Sequence, residues 1–577
     1  MKRKILIGID DFKRVIEEKG PYIDKSSFIL EMLDNGAGVT AITRPRRFGK
    51  TLNMSMLSYF FDIESGEKNR ALFEGLEISK SKYFKTHMGN HPVISISFKQ
   101  VKGEDWEQSF RKIEGVIAEK FLENKFLLNS TSLEDEEKVS FNRILKREAR
   151  MDEVEEGITL LSKLLHKHYN RKVVILIDEY DTPMIEGELN GYFSKAVRFM
   201  RVMLSGALKG NLSLYKGVLT GITRLQGAGI FSGLNNAKIC TIFSEEYKEK
   251  FGFTEEEVGS LLKEYGLEKE KKKVREYYNG YNFNGEVIYN PYSVLNYMDT
   301  GKLDNYWLGS SSNDLAKKKI KDLIDKGSGK SITKMFEHLL QGGDVDSIIK
   351  DRVSISKDMG KEDILNLLLS AGYLKYDHYF IEDAEKYAKL SIPNREVRSV
   401  YKATLRDWVN KNYTEDELAN FREFVEAISF GSGEDIRIGI ERYLENRSLM
   451  DGEKIEEKGY HNFFFGMFQV LMGSYLVESN LETGRGKCDI MLMPLKVVGG
   501  NEIDLDKKGI IFEFEVGKED KLDKLSREAI KQIEEKQYYK KMEVKGIKRA
   551  KFIGVAFYKK SVKLSLKEVL LKSNFKK

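Results

Sequence analysis

Short apolar runs alternate with amphipathic stretches over the first half of this chain. Residues 38–43, 92–98, 173–177 and 214–222 are apolar or alternating and predict strands. The run Val173–Ile177 is apolar throughout and rich in β-branched residues, as a strand buried on both faces of a parallel sheet requires. Behind the first strand, Leu52, Met56, Tyr59 and Phe60 recur at helical spacing. Strands separated by helical stretches predict an α/β domain with a parallel sheet over residues 1–300. Residues 301–415 read as a helical or winged-helix-like middle module. There an apolar run, Leu367–Leu374, precedes a hairpin. After about residue 415, helices over 417–446 and 460–476 lead into strand pairs and a final helix, an α+β domain over 416–577.

Composition adds limits to this picture. The 577 residues are 41% hydrophobic and 32% charged with 7 Pro, which fits several globular domains. No run approaches the roughly 20 apolar residues of a membrane helix. The basic start, Met1–Ile7, is cut short by Asp10 and Asp11 and makes a poor signal peptide. Two cysteines, Cys240 and Cys488, exclude a disulfide framework or a four-thiolate zinc site within one chain. His166 and His168 have no acidic or thiol partner at ligand spacing. A cytoplasmic protein without membrane contact is the expectation. Net charge is only +6, but Lys541–Lys577 carries 12 Lys/Arg against 2 Glu. Such a stretch suits a polyanion such as nucleic acid, and equally a solvated lysine-rich surface.

Two constellations carry candidate chemistry. Arg44-Pro45-Arg46-Arg47-Phe48-Gly49-Lys50-Thr51 lies between a strand and a helix, the setting of a phosphate-binding loop. Lys50 would reach the β- and γ-phosphates and Thr51 would coordinate Mg²⁺. Arg44 stands where such loops usually have glycine. Farther on, the strand from Val173 ends in Asp178 and Glu179, a metal carboxylate and a water-orienting carboxylate for phosphoryl transfer. The two halves are expected on neighbouring strand tips of one sheet. Arg224, Arg46 and Arg47 compete for the γ-phosphate, each against a role in a structural ion pair.

The second constellation is C-terminal. Alternation along Ile510–Val516 puts Ile510, Phe512, Phe514 and Val516 on one face and Glu513 and Glu515 on the other. An adjacent strand could add Asp489, making a carboxylate cluster for Mg²⁺ or Mn²⁺. Gln532 and Lys536 share a helix face that could lean over it. The same spacing also fits an ordinary hairpin with acidic edges.

With these residues in view, the chain resembles the bacterial family that fuses an AAA-ATPase-like domain to a PD-(D/E)XK nuclease domain. Carrying the resemblance are Tyr22–Lys25, Thr43–Leu52, Leu176–Asp181, Thr220–Arg224 and Phe231–Asn236. Tyr278–Tyr281, Tyr289–Ser293, Ala371–Leu374, Ile392–Val397, Gly484–Asp489 and Gln532-Ile533 continue it. It makes Arg44 a family trait. It implies ATP binding by Arg46, Arg47, Phe48, Gly49, Lys50, Thr51, Leu52 and Arg224. Thr51 and Asp178 would then serve at Mg²⁺, and Glu179 in hydrolysis. It further implies that Asp489 and Glu513 are nuclease metal ligands, with Glu515 and Lys536 completing the catalytic set. Nucleic acid, DNA by preference, is the implied partner, with room for a homo-oligomer. The family's Glu-x-Lys is here Glu513-Phe514-Glu515. Either Glu515 serves, or Lys536 supplies the amine, or the domain binds nucleic acid without cutting it.

Overall fold

The structure, a computed structural model, describes residues 3–226, 236–307, 342–354, 359–412, 426–445, 475–483, 486–495 and 507–572, with a few isolated residues and short runs between these segments. Of the family strings, Phe231–Asn235 and Gly484-Arg485 lie outside them, as do much of 301–341, residues 417–422 of the helix expected at 417–446 and most of that expected at 460–476. Contacts divide the chain into two compact units, Met1–Lys402 and Ala403–Lys577.

In the first unit a five-stranded sheet is built from β1 (Val39–Thr43), β2 (Val93–Ser97), β3 (Val173–Asp178), β4 (Leu214–Gly221) and β5 (Ala237–Cys240). Every pairing is parallel, and the order across the sheet is β2-β3-β4-β1-β5. β1 and β3 are buried along their whole length, as central strands of a parallel sheet covered on both faces must be. One expectation is corrected here. β1, which leads into Lys50, and β3, which ends at Asp178, are not neighbours, because β4 lies between them. The helix Lys50–Phe61 follows β1 and buries Met54, Met56, Leu57, Phe60 and Phe61, so it is sunk between neighbours rather than half-exposed. Helices Trp106–Glu123, Gly157–Tyr169 and Phe193–Leu208 lay apolar faces against the sheet and close its core.

The rest of the first unit is smaller pieces. Antiparallel strands Phe253–Thr254, Glu286–Tyr289 and Tyr281–Phe283 precede the helix Pro291–Thr300. In the middle stretch the helix Lys361–Ser370 leads into a hairpin of Lys375–Glu382 and Glu385–Ser391, to which Val345–Ile349 adds a third strand. A helix with a winged hairpin is thus present where the apolar run predicted it. The helix Arg395–Asn412 follows.

The second unit is a mixed sheet of β6 (Tyr475–Thr483), β7 (Gly486–Pro494), β8 (Gly509–Val516), β9 (Arg549–Tyr558) and β10 (Ser561–Leu570), in that order. Only β8 and β9 run parallel, joined through the helix Leu522–Glu535. Ile510, Phe512 and Phe514 pack in one core with the helix Gly433–Glu445, while Ile511 faces the other core under Leu522–Glu535. The pattern predicts a final helix, but the last described elements are strands. The lysine-rich stretch is therefore largely folded rather than a loose tail. Lys541, Lys551 and Lys567 pair with Glu478, Glu568 and Glu534. Among the described residues, no helix is long and apolar enough to cross a membrane.

Candidate nucleotide and metal sites

The loop between β1 and the helix Lys50–Phe61 turns through two left-handed residues, Arg47 (φ 69°) and Gly49 (φ 80°). Gly49 is needed for that backbone angle rather than for space, since a Cβ there would meet nothing within 4 Å. It caps the helix, so the helix's first N–H groups and positive dipole end face the loop. Lys50 is buried inside the turn, its Nζ donating to the carbonyls of Arg44 (3.0 Å) and Pro45 (2.9 Å). Burial pulls its pKa below the usual lysine range, and the charges of Glu179, Asp178 and Asp181 oppose that fall.

Arg44 explains how the loop does without its usual glycine. The side chain is wholly buried, donating to the carbonyls of Thr43 (2.8 Å) and Cys240 (3.2 Å). Its guanidinium lies 5.0 Å from the Phe283 ring centre. It points into the core, away from the phosphate side. Phe48 does likewise, its ring packed at 4.9 Å from Tyr281 and 5.4 Å from Phe283. Phe48 is thus an anchor for the loop, with its backbone left on the cavity side.

Opposite the loop stand the acids. Asp178 at the end of β3 accepts from Thr51 Oγ1 at 2.7 Å and from the Thr220 hydroxyl on β4. The intervening strand therefore contributes a ligand-positioning hydroxyl, which sequence spacing alone did not single out. Burial raises the Asp178 pKa, and the two hydroxyls counter the rise. Glu179 takes a left-handed backbone (φ 51°) and accepts from Thr182 Oγ1 at 3.3 Å. Asp181, also unassigned from sequence, is fully buried. It accepts from the N–H groups of Ile222 (2.8 Å) and Thr223 (3.1 Å), and burial pushes its pKa up to about 6.

A cavity of about 300 Å³ joins these parts. Arg46, Arg47, Gly49, Lys50, Thr51, Leu52 and Glu179 all line it. Leu6, Ile9, Ile23, Phe253, Tyr292 and Leu295 add apolar wall, and Lys99, Lys102 and Glu186 add charged groups. Arg47 lies over the Tyr292 ring at 4.6 Å, towards the apolar wall. Arg224 does not line the cavity. It sits within electrostatic reach of Asp351 and Arg352.

Behind the loop, Tyr281 and Gly372 from the remaining family strings touch it, and neighbouring residues bond to one another. Gly372 (φ +86°) lies so close that a Cβ would come within 2.9 Å of Pro45. Tyr376 donates to the Ile242 carbonyl and accepts from the Asn284 N–H. Asn394 Nδ2 donates to the Asn279 carbonyl at 2.8 Å. Ser293, in the first turn of the helix Pro291–Thr300, donates to Glu396 at 2.8 Å.

In the second unit the structure brings two of the predicted acids together. Asp489 Oδ2 accepts from the Phe514 N–H at 2.8 Å, and Glu513 Oε2 accepts from the Asp489 N–H at 3.3 Å. Gln532 Nε2 donates to Glu513 Oε1. Burial, then the charge of Asp489, raises the Glu513 pKa to about 8. Glu515 stays within electrostatic reach of Glu513, farther along β8. Lys536 lies across Gly486, where a Cβ would come within 2.8 Å of its Cδ. Among the described residues no group of three or more His, Cys, Asp or Glu side chains is placed to hold a metal ion. The expected three-carboxylate cluster is thus a hydrogen-bonded pair with a third acid nearby.

Residues 6–231 match a family model described as "Predicted AAA-ATPase", and residues 455–566 match the model of the PD-(D/E)XK nuclease superfamily. A protein of Azotobacter chroococcum mcd 1, named "Uncharacterized protein in vnfD 5'region", is 25% identical over 400 residues, which is 69% of each chain. No solved structure matches. The chain is a fusion of an AAA-ATPase-like domain with a PD-(D/E)XK nuclease superfamily domain.

Proposed function

We propose that the first unit binds and hydrolyses ATP with magnesium, and that its nucleotide state governs a metal-dependent nuclease acting on nucleic acid, DNA by preference. One observation carries the nucleotide half. Thr51 and Asp178 are hydrogen-bonded at 2.7 Å, with Lys50 in electrostatic reach of Asp178 and Glu179. The donor set fits the group. Glycine-turned backbone and Lys50 suit the β- and γ-phosphates, and a hydroxyl beside a carboxylate suits magnesium. Magnesium, when bound, offsets charge on the phosphate oxygens. Glu179 orients the attacking water, and the apolar wall with Tyr292 receives the base.

In the second unit Asp489 and Glu513 would hold the metal and Gln532 would fix the Glu513 carboxylate. A second reading is favoured by Glu515 at the usual lysine position: a nucleotide-gated switch whose nuclease domain binds nucleic acid without cutting it. A homo-oligomer is compatible with either.

Phosphate release and nucleic-acid cleavage, measured with magnesium and manganese on single- and double-stranded substrates, test both halves. Lys50→Ala should lose nucleotide binding. Glu179→Gln should keep binding while turnover falls by about 100-fold. Asp489→Asn and Glu513→Gln should each end cleavage. Equal phosphate release in all variants sinks the ATPase. A wild type that binds DNA with metal but never cuts selects the switch.

A further inference from the structure

Transfer of a γ-phosphoryl group spreads negative charge over its oxygens, and a second cation beside the P-loop lysine is often decisive; it comes from the same chain or from a neighbouring subunit. Of the three arginines that the sequence offers, Arg224 does not line the cavity, and Arg47 lies over Tyr292. Arg46 remains. The structure adds a group that no spacing rule suggested, Lys102.

Lys102 sits on the short loop after β2, which is next to β3 in the sheet. Ser97 is level with Asp178, and the Phe98 N–H donates to the Asp178 carbonyl at 3.0 Å. The loop is rigidly mounted. Phe98 and Val101 are fully buried, Tyr192 donates to the Gly103 carbonyl at 2.9 Å, and a Cβ on Gly103 would come within 2.6 Å of the Ser109 nitrogen. Lys102 lines the same cavity as Glu179 and Arg46. Beside them Glu186 is 6% exposed and stands one helical turn beyond Thr182 on the cavity-facing side of Thr182–Asn190. The cations acting on Glu186 are Lys102, then Arg46, then Lys112. Lys99, on the same loop, is committed to Asp10 at 3.2 Å. Lys102 is in no ion pair among the described residues.

We propose that Lys102 and Arg46, gathered by the buried Glu186, are the cations that meet the γ-phosphate. On this proposal the chain hydrolyses nucleotide without a cation from a second copy. This rests on the nucleotide reading of the cavity. In the step concerned, a water oxygen bonds to the γ-phosphorus as the bond to the bridging oxygen breaks. The electron pair leaves with the diphosphate, and the water proton passes to Glu179 and then to solvent. Lys102 touches the transferring group; Glu186 is a positioning residue.

The test uses the full chain and the wild type, Lys102→Ala, Lys102→Arg and Lys50→Ala forms. Dissociation constants are measured for the magnesium complexes of ADP and of a non-hydrolysable ATP analogue, together with phosphate release across a dilution series. Lys102→Ala should bind the analogue about tenfold more weakly while ADP binding is unchanged. Its turnover should fall by about 100-fold, with Lys102→Arg recovering most of both. Wild-type activity per molecule should not change on dilution. Unaltered analogue affinity and turnover in Lys102→Ala, while Lys50→Ala loses binding, overturns this proposal alone. So does wild-type activity that vanishes on dilution. If Lys50→Ala binds the analogue as tightly as wild type, the nucleotide is not in this cavity and the underlying reading falls with it.

Discussion

Glu396 is a carboxyl group held in the interior by donors alone. Ser293 Oγ and the Trp307 N–H donate to it, and among the described residues no ion pair holds it. Burial outweighs those donors and raises its pKa from 4.5 to about 7. The folded chain therefore binds this proton more tightly than the unfolded chain does. The group's contribution is full below the unfolded value, declines as pH rises between the two, and is gone above about 7. It amounts to roughly 3 kcal/mol. Glu396→Gln keeps an acceptor oxygen and removes the titration. Its stability relative to wild type should rise between about pH 5 and about pH 8 in urea unfolding, and parallel profiles would refute the assignment.

The same scale shows what the sequence made legible. Lys50 and Thr51 open the helix after β1, and Asp178 ends β3 with Glu179 following it, positions that the local sequence pattern announces. Arg44 was visible as an irregularity, but its accommodation depends on Phe283, Cys240 and Thr43 closing around the guanidinium. Thr220 and Asp181 fall within family strings but with no role attached, and Lys102 falls in none. Their significance comes from which strands are neighbours, a tertiary property that spacing along one chain does not encode.

At the scale of elements, the phosphate loop is held from behind by a turn more than 300 residues away. Gly372 ends the Lys361–Ser370 helix with φ +86° against Pro45. Gly372→Val should push the loop out of position and weaken nucleotide binding by about 10- to 100-fold while the fold survives. Gly285 is the control. It has φ +89° but open space around its Cβ. Gly285→Ala should cost about 1 kcal/mol and leave binding unchanged. Equal affinities in both variants, measured with a fluorescent nucleotide, would separate the loop from the turn. The sequence predicted the helix and its hairpin from the apolar run before Leu374, yet gave no reason to place them against the loop. It also read the strand carrying Asp178 as next to β1, because no local pattern distinguishes adjacency from a gap filled by β4.

Across the whole molecule, two units with separate cores predict two unfolding transitions. Magnesium nucleotide should raise only the transition of the first unit, by about 2.7 kcal/mol of stability at a hundredfold excess over its dissociation constant. Manganese alone should raise only the other, and not in Glu513→Gln. Calorimetry of the full chain reads both at once, and a single transition moved equally by either ligand would contradict the division. The C-terminal sheet was foreseen in its acidic strand, where alternation sorted Phe512 and Phe514 from Glu513. Its last two strands were not. β9 is a largely apolar run buried from Ala550 to Phe557, which periodicity alone does not separate from a buried helix, and β10 is a partly exposed, lysine-bearing edge.

The left-handed backbone at Glu179 has a practical consequence for anyone breeding variants of this protein. An ordinary side chain occupies that conformation at a cost of roughly 1 kcal/mol, which glycine would relieve. Screens that reward heat tolerance alone would therefore drift towards glycine at 179, harvesting sturdier molecules that have shed the carboxylate beside Lys50.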